Sequence, residues 1–328
     1  MAMQILITGA AGFIGSNLSE ELLSSGHEVI GIDNLNSGKK QNLANLFNYQ
    51  KFNFHQIDIF DLNLKRHKKL FRNVDVVYHL AAQKIPRYSN ALSTLKVNGI
   101  GSDIVFNIAS EYGCKIIAAS TSDVYGKNPE IPFSENSDLV VGNPNVPRWA
   151  YAISKMFEEQ LLFSYSTMRN VPVVAVRFFG AYGPRQHLGW QGGPIPVFIE
   201  NSIKAIPLQI HGNGNQTRSF TYIRDHIEAL AKLIHHEWSG AFHLNLGSNV
   251  EIEIIELARR IWRKIQPDHE FVYELIPYTN FGNYEDVMRR VPNSSKAREL
   301  LDLGFNTDLN VGLDLTIDWQ RSITNQGT

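Results

Sequence analysis

The stretch Gly9-Ala10-Ala11-Gly12-Phe13-Ile14-Gly15 constrains the fold of this chain more than any other feature. It follows the apolar run Ile5-Leu6-Ile7 directly and opens a helical pattern from Leu18 to Leu23, so its glycines sit at a strand-to-helix turn. Glycine allows a tight turn there, and the amides at the helix N-terminus can then meet a pyrophosphate. A second strand, Glu28 to Ile32, ends on Asp33, eighteen residues past Gly15, where a carboxylate can accept hydrogen bonds from both hydroxyls of a ribose. These residues predict a dinucleotide site that takes NAD in preference to NADP, because Asp33 repels a 2′-phosphate. Lys39 and Lys40 lie near enough in sequence to argue the other way. The plain alternative is a glycine turn that serves packing alone.

Further apolar runs at 3–8, 28–32, 74–80, 115–120 and 172–178 alternate with helix-length amphipathic segments. That rhythm predicts an α/β fold of the doubly wound Rossmann type, with a parallel sheet. Beyond residue 178 the loop-rich stretches Tyr182-Gly183-Pro184-Arg185 and Gln191-Gly192-Gly193-Pro194-Ile195-Pro196 break the rhythm. The expected division is an NAD-binding domain over 1–178 and a smaller C-terminal substrate lobe, mainly 179–328. Helices over 222–237 and 252–266 and a strand at Ala241–Leu246 imply crossings between the lobes near 220–248. In open sheets of this kind ligands collect outside the carboxyl ends of the strands. Asp33 and Asn34, then Asp58 and Ile59 after the run Phe52 to Ile57, and Leu80, Ala81 and Ala82 after the strand Val74 to Tyr78, all converge on that edge.

Several classes are excluded. A formal net charge of -1 exerts no long-range pull on nucleic acid or an anionic membrane, and no run of eighteen apolar residues is present to span a bilayer. The N-terminus reads as a strand and not an export signal, so a cytoplasmic location is expected. The single cysteine, Cys114, rules out an internal disulfide and reads as a small buried hydrophobe, and His235-His236 lack ligand spacing, so no metal is expected.

The chemistry concentrates at two places. The strand Lys115 to Ala119 runs into Ser120-Thr121-Ser122-Asp123-Val124-Tyr125-Gly126, which sets hydroxyls and one carboxylate at the carboxyl edge. Thirty residues beyond Thr121 stands Tyr151-Ala152-Ile153-Ser154-Lys155, whose spacing of four places Tyr151 and Lys155 on one helical face. There an ammonium can lower the phenol pKa and reach a cofactor ribose, and a phenolate can take a hydroxyl proton while hydride leaves carbon. In isolation such a pair is more often a solvated helix face. Downstream of the glycine turn it reads as a proton-handling pair.

These motifs resemble the extended short-chain dehydrogenase/reductases, and within them the nucleotide-sugar epimerases, dehydratases and decarboxylases, from Gly9 to Arg289-Arg290-Val291-Pro292-Asn293-Ser294-Ser295-Lys296-Ala297 and the final Trp319. The resemblance implies an active site of Thr121, Tyr151 and Lys155, tightly held NAD bordered by Ser120, a UDP-linked sugar as substrate and a homodimer joined through helices. It also implies that Asn98 supports the active-site helix, that Phe178 approaches the nicotinamide, and that Lys84 borders cofactor and substrate. Arg218, Arg289 and Arg290 match positions near the nucleotide diphosphate, a task that suits the planar fork of arginine. Gly180 stands where many relatives have Asn, which removes one sugar or diphosphate contact. The loop from Gly183 to Pro194, with Arg185, His187, Trp190 and the following Val197, is the expected specificity element; a surface loop with Trp190 tucked against the lobe is the alternative.

Oxidation at sugar C4 acidifies the C5 proton, after which the keto sugar can rotate and be reduced, lose water, or lose a carboxyl group. The residues after Thr121 should choose. The resemblance gives 4,6-dehydratases an Asp-Glu pair there, 4-epimerases small uncharged residues, and uronate decarboxylases Ser followed by Glu. Here Ser122 and Asp123 stand in those places, so Asp123 acts at C5, or retracts from it by one methylene, or caps local amides. The first reading is a nucleotide-diphosphate-sugar 4-epimerase. The alternatives are a 4,6-dehydratase or UDP-glucuronate decarboxylase that uses Asp123, and, from another class, a non-catalytic NAD-binding regulatory protein.

Overall fold

Strand β1 (Gln4–Thr8) runs through the middle of a seven-stranded parallel sheet, which is why Ile5, Leu6 and Ile7 are all buried instead of alternating with polar residues. The computed structural model describes residues 2–84 and 91–325, so residues 1, 85–90 and 326–328 of the two expected lobes lie outside the described residues. The remaining strands of the sheet are β2 (Glu28–Asp33), β3 (Phe52–Gln56), β4 (Val76–His79), β5 (Lys115–Thr121), β6 (Val173–Phe178) and β7 (Ala241–Leu246). Their order is β7-β6-β5-β4-β1-β2-β3. The chain moves outward from β1 to β3 and then resumes on the other side of β1 with β4, which creates the reversal where a crevice opens at the carboxyl ends. The expected doubly wound α/β fold is therefore observed.

Helix α1 (Phe13–Ser24) starts at the glycine turn, and its Leu18 and Leu22, four apart, face the core. On the opposite face of the sheet α2 (Ser102–Glu111) packs beside α3 (Trp149–Arg169) over a second apolar cluster containing Val77, Phe106, Ile116 and Leu162. Helix α3 ends where Asn170 takes a left-handed conformation (φ 54°), with Pro172 two residues later.

After β6 the chain builds a second, smaller set of elements. Helix α4 (Pro194–Ile203) packs against α6 (Ile254–Ile265), while α5 (Ile223–Leu233) returns to the sheet beside α1 and leads into β7. Short strands at Thr217–Ser219, Glu251–Glu253 and Arg289–Arg290 form one ribbon, and Leu208–His211 pairs with Tyr273–Ile276 in another. These ribbons stand over the carboxyl ends of the large sheet and roof the crevice. No helix among the described residues is long and apolar enough to cross a membrane.

Candidate active site

Strand β5 carries one half of the site and helix α3 the other. Ser120 and Thr121 end β5, and a single turn at Ser122–Tyr125 follows, capped by the Thr121 hydroxyl, which accepts from the Asp123 amide at 3.2 Å. Arg148, at the N-cap of α3, and Tyr151 and Lys155 within it fall three and four residues apart and so share one face. They meet in a cavity of about 790 Å³ between the sheet edge and the roof.

The cavity brings together most of the residues expected from the sequence. Gly9, Gly12, Phe13, Ile14, Gly15, Leu80, Ala82, Lys84, Ser120, Thr121, Ser122, Asp123, Tyr151, Lys155 and Phe178 line its lower part. Gly180, Arg185, His187, Trp190, Arg218 and Arg290 line its upper part. The glycine turn is built for close approach. Gly9 adopts φ +74° with the backbone of Ala81 against it, and a Cβ on Gly15 would run into the backbone of Gly9 and Ala10. Asp33 is buried behind the turn; burial raises its carboxyl pKa, while the amides of Leu35 (2.8 Å) and Ala11 (3.0 Å) work against that rise and fix its two oxygens.

Other expected residues stand elsewhere. Asn34 and Asp58 hydrogen-bond each other at 2.7 Å, Asp58 caps the turn at Phe60, and Ile59 packs into the core beside Gly101, so none of the three lines the cavity. Ala81 and Val197 do not line it either. Asn98 acts from behind: its side chain exchanges hydrogen bonds with the Gln83 backbone and donates to Ser154 Oγ at 3.0 Å, bracing α3 against the loop after β4. Arg289 is corrected outright. It points to solvent and pairs with Glu251 at 2.9 Å, while its neighbour Arg290 reaches Asp123 at 2.8 Å. Arg185 lines the cavity, but its guanidinium is committed to Glu20 (2.5 Å) and the Ser16 carbonyl on α1.

The proton-handling pair differs from expectation in one respect. Lys155 is buried, and its ammonium donates to the Ala119 carbonyl at 2.8 Å and to Glu158 Oε2 at 2.7 Å. The Tyr151 phenol is held above its ordinary pKa, first by burial and then by the charges of Asp123 and Glu158, with the Thr121 hydrogen bond and Arg290 opposing. The phenol is thus raised where a lowering was expected, and the Lys155 ammonium is shared with Ala119 and Glu158.

Asp123 is equally engaged. Besides Arg290 it faces Arg148 at 3.5 Å, and Arg148 also approaches Asp286 at 3.6 Å. Burial penalises the Asp123 charge, but Arg290, Arg148, Lys84 and Arg218 outweigh it and hold the carboxyl well below the usual range. An acid held so firmly ionised cannot donate a proton near neutrality, and its basicity is low.

Above this cluster Lys84 donates to the Gln191 carbonyl at 3.2 Å and ties down the loop that follows Arg185. Trp190 stacks on His211 at 4.3 Å, and burial with the charges of Lys39 and Lys84 lowers the pKa of His187. Gly180, at φ +43°, lies so close to the Ser219 carbonyl that a larger residue would be strained there. Among the described residues no group of His, Cys, Asp or Glu is arranged to hold a metal ion. Sequence reasoning passed over Arg148, Glu158 and Gln83. The first two carried a usable signal, since they lie three residues before Tyr151, at the N-cap of the helix, and three after Lys155 within it.

Comparison with known proteins agrees with this geometry. The family model described as GDP-mannose 4,6 dehydratase matches residues 6–315. The UDP-N-acetyl-alpha-D-glucosaminuronate decarboxylase of Bacillus cytotoxicus is 35% identical over 327 residues, covering 99% of this chain and 100% of that protein. UDP-glucuronic acid decarboxylase 1 of Xenopus tropicalis is 34% identical, covering 97% of this chain and 72% of its own. Among solved structures, UDP-glucuronic acid 4-epimerase from Bacillus cereus in complex with UDP-glucuronic acid and NAD superposes with a TM-score of 0.87 at 28% identity, covering 98% of this chain and 100% of that one. The chain belongs to the GDP-mannose 4,6 dehydratase family, one of nucleotide-sugar epimerases, dehydratases and decarboxylases within the extended short-chain dehydrogenase/reductases.

Proposed function

We propose that this family member is an NAD-dependent enzyme that oxidises C4 of a UDP-linked uronic acid and releases its carboxyl group as carbon dioxide. The observation that carries the reading is the state of Asp123: among the described residues it is the carboxylate that lines the cavity, and it is paired with Arg290 at 2.8 Å, with Arg148, Lys84 and Arg218 adding positive charge. Dehydration needs a base at C5 and an acid at C6, and the paired Asp123 carboxylate is poorly suited to either task. Decarboxylation needs no base at C5. Once C4 is a ketone, the carboxylate on C5 is β to it, and its bonding electrons can pass into the carbonyl as carbon dioxide leaves; C5 then takes a proton from water in place of the lost carboxyl, and C4 is reduced. Arg148 lines the cavity, held by the Glu285 carbonyl at 3.1 Å, and is suited to the substrate carboxylate because its contacts with Asp123 and Asp286, at 3.5 and 3.6 Å, are long.

NAD fits the lower crevice. The turn at Gly9, Gly12 and Gly15 admits a diphosphate against backbone amides, and Asp33, held behind it by the Ala11 and Leu35 amides, is the group assigned to the ribose. Bound NAD supplies the acceptor and later the donor of the hydride. The chain's own residues do the rest: Thr121 hydrogen-bonds the sugar oxygen, Tyr151 takes and returns its proton, Lys155 supplies the positive charge, and Arg218 with Arg290 supports the diphosphate. A second reading, 4-epimerisation of the same uronic acid, shares the opening oxidation and remains the preference of sequence alone. The Bacillus cytotoxicus and Bacillus cereus relatives, one named a decarboxylase and the other an epimerase, both act on or bind uronic acid nucleotides by their names, which supports the substrate class under either outcome. Comparing UDP-glucuronic acid with UDP-glucose tests that class: turnover of the uronic acid is expected to be faster, and equal turnover contradicts it.

For the homodimer expected from the sequence we propose one surface. The helix at Leu92–Lys96 with the turn Val97–Gly101 lies alongside α3, and together they expose Leu95, Ile100, Ile153 and Phe157. An apolar face on two adjacent helices suits a two-fold contact with a second copy. Phe157→Glu is expected to sediment as a monomer where the unaltered chain sediments as a dimer; a monomeric unaltered chain would sink the idea.

A further inference from the structure

The buried pair Lys155–Glu158 is not required by the chemistry just described. Glu158 is buried, three residues beyond Lys155 on α3, and faces the sheet from inside the protein. Its carboxylate accepts from the ammonium at 2.7 Å and is also hydrogen-bonded by Ser102. Ser102 Oγ in turn lies 2.8 Å from His79 Nε2, and His79 Nδ1 lies 2.8 Å from Thr8 Oγ1 at the end of β1. Glu158 is thus anchored from α2 and β4 and is not free to swing away.

An ammonium has three N–H donors. In Lys155 one is given to the Ala119 carbonyl and one to Glu158, so a single donor is left for both the phenol of Tyr151 and a cofactor ribose. We infer that Glu158 is a positioning residue for the proton-handling pair: it competes with Tyr151 for the Lys155 ammonium and so sets how readily the phenol gives up its proton. Its negative charge acts on Tyr151 in the same direction as the geometry, because it is among the charges that raise the phenol pKa. Glu158 itself is pushed up to about 7, first by burial, with Lys155 and the Ser102 hydrogen bond opposing and the charge of Glu159 adding to the rise. The other groups facing it are accounted for. Glu159 is neutralised by Arg177, and His79 is kept uncharged by burial and by Lys155, at about 3. The restraint is therefore weakest below neutrality, where Glu158 is protonated, and strongest above it.

This inference rests on the role of Tyr151 proposed above, and Glu158→Gln tests it because the variant keeps the shape and removes the charge. Sugar oxidation, read as reduced-nicotinamide absorbance, is expected to keep its KM, to keep its rate below about pH 6, where Glu158 of the unaltered protein is already protonated, and to gain roughly tenfold at about pH 8. No gain at the higher pH overturns the inference. Should that variant not fold, Ser102→Ala, which removes a hydrogen bond favouring the Glu158 anion, is expected to gain in the same direction by less; no gain again overturns it. Failure of the underlying function is recognisable separately, as no oxidation of any uronic acid nucleotide by the unaltered protein. Infrared difference spectra between pH 6 and pH 8, which need no substrate, then decide. A protonated-carboxyl band should disappear in the unaltered protein as pH rises and be missing from Glu158→Gln, and its persistence in the variant, or its absence from both, overturns the inference.

Discussion

Tyr151→Phe is expected to slow oxidation of the sugar by about 10²- to 10⁴-fold while leaving NAD and nucleotide-sugar affinities within about threefold. The ring packs in the same place with or without its hydroxyl, so the loss falls on proton transfer and not on binding. Thr121 and Lys155 remain, but neither can replace the phenol: Thr121 is a weak base, and Lys155 is tied to Ala119 and Glu158. Stopped-flow absorbance of the reduced nicotinamide, with isothermal titration for the two ligands, separates rate from affinity. A variant that oxidises the sugar at the original rate removes Tyr151 from the mechanism.

The second large effect concerns the scaffold under the site. Arg177, on β6, is fully buried and holds Glu159 of α3 through two parallel hydrogen bonds of 2.9 and 2.8 Å, while Ser120 Oγ donates to the same carboxylate at 2.5 Å. Arg177 also donates to the Tyr125 hydroxyl at 2.9 Å, and that hydroxyl donates to Asn245 of β7 at 2.7 Å. This network fixes α3 against the end of β5. Arg177→Met is expected to cost about 3–5 kcal/mol of unfolding free energy, because it leaves a buried carboxylate without its counter-charge. Urea denaturation measures it, and a loss under 1 kcal/mol contradicts the account.

The same pair gives a pH dependence with a definite sign. Burial works against the Glu159 charge, but the hydrogen bonds of Arg177 and His243 overcome it and bring the pKa down from 4.5 to about 2. A depressed carboxylate stabilises the fold at pH values above its unfolded pKa, and the contribution, of order 3 kcal/mol, fades as pH falls from near 4.5 toward 2. In Arg177→Met that acid-side loss should be largely missing.

Much of the fold was legible because its signals are local. The glycine turn, the acid that ends β2 and the runs of Val and Ile each report their own backbone, and the strands lie within two residues of the runs read from the sequence. The Tyr151 and Lys155 pair was legible for the same reason, since helical spacing brings it together without help from the rest of the chain. Roles that depend on distant partners were not. Asp123 looked like a candidate base until Arg148 and Arg290, far away in sequence, proved to hold its carboxylate. Arg289 and Arg290 were equivalent as letters, but adjacent residues of a strand face opposite sides, and pairing of that strand with Thr217–Ser219 decides that Arg290 points inward. Asp58 failed for a related reason: its oxygens are used by Phe60 and Asn34, a local turn that a strand-end rule does not anticipate.

The most direct measurement of the central claim is the mass of the product formed when the purified protein, supplied with NAD, is incubated with UDP-glucuronic acid. The account predicts a UDP-pentose lighter than the substrate by one carbon dioxide, with no net consumption of NAD. A product of unchanged mass and inverted configuration at C4 contradicts decarboxylation and restores epimerisation, and a product lighter by one water contradicts the reading of Asp123 itself.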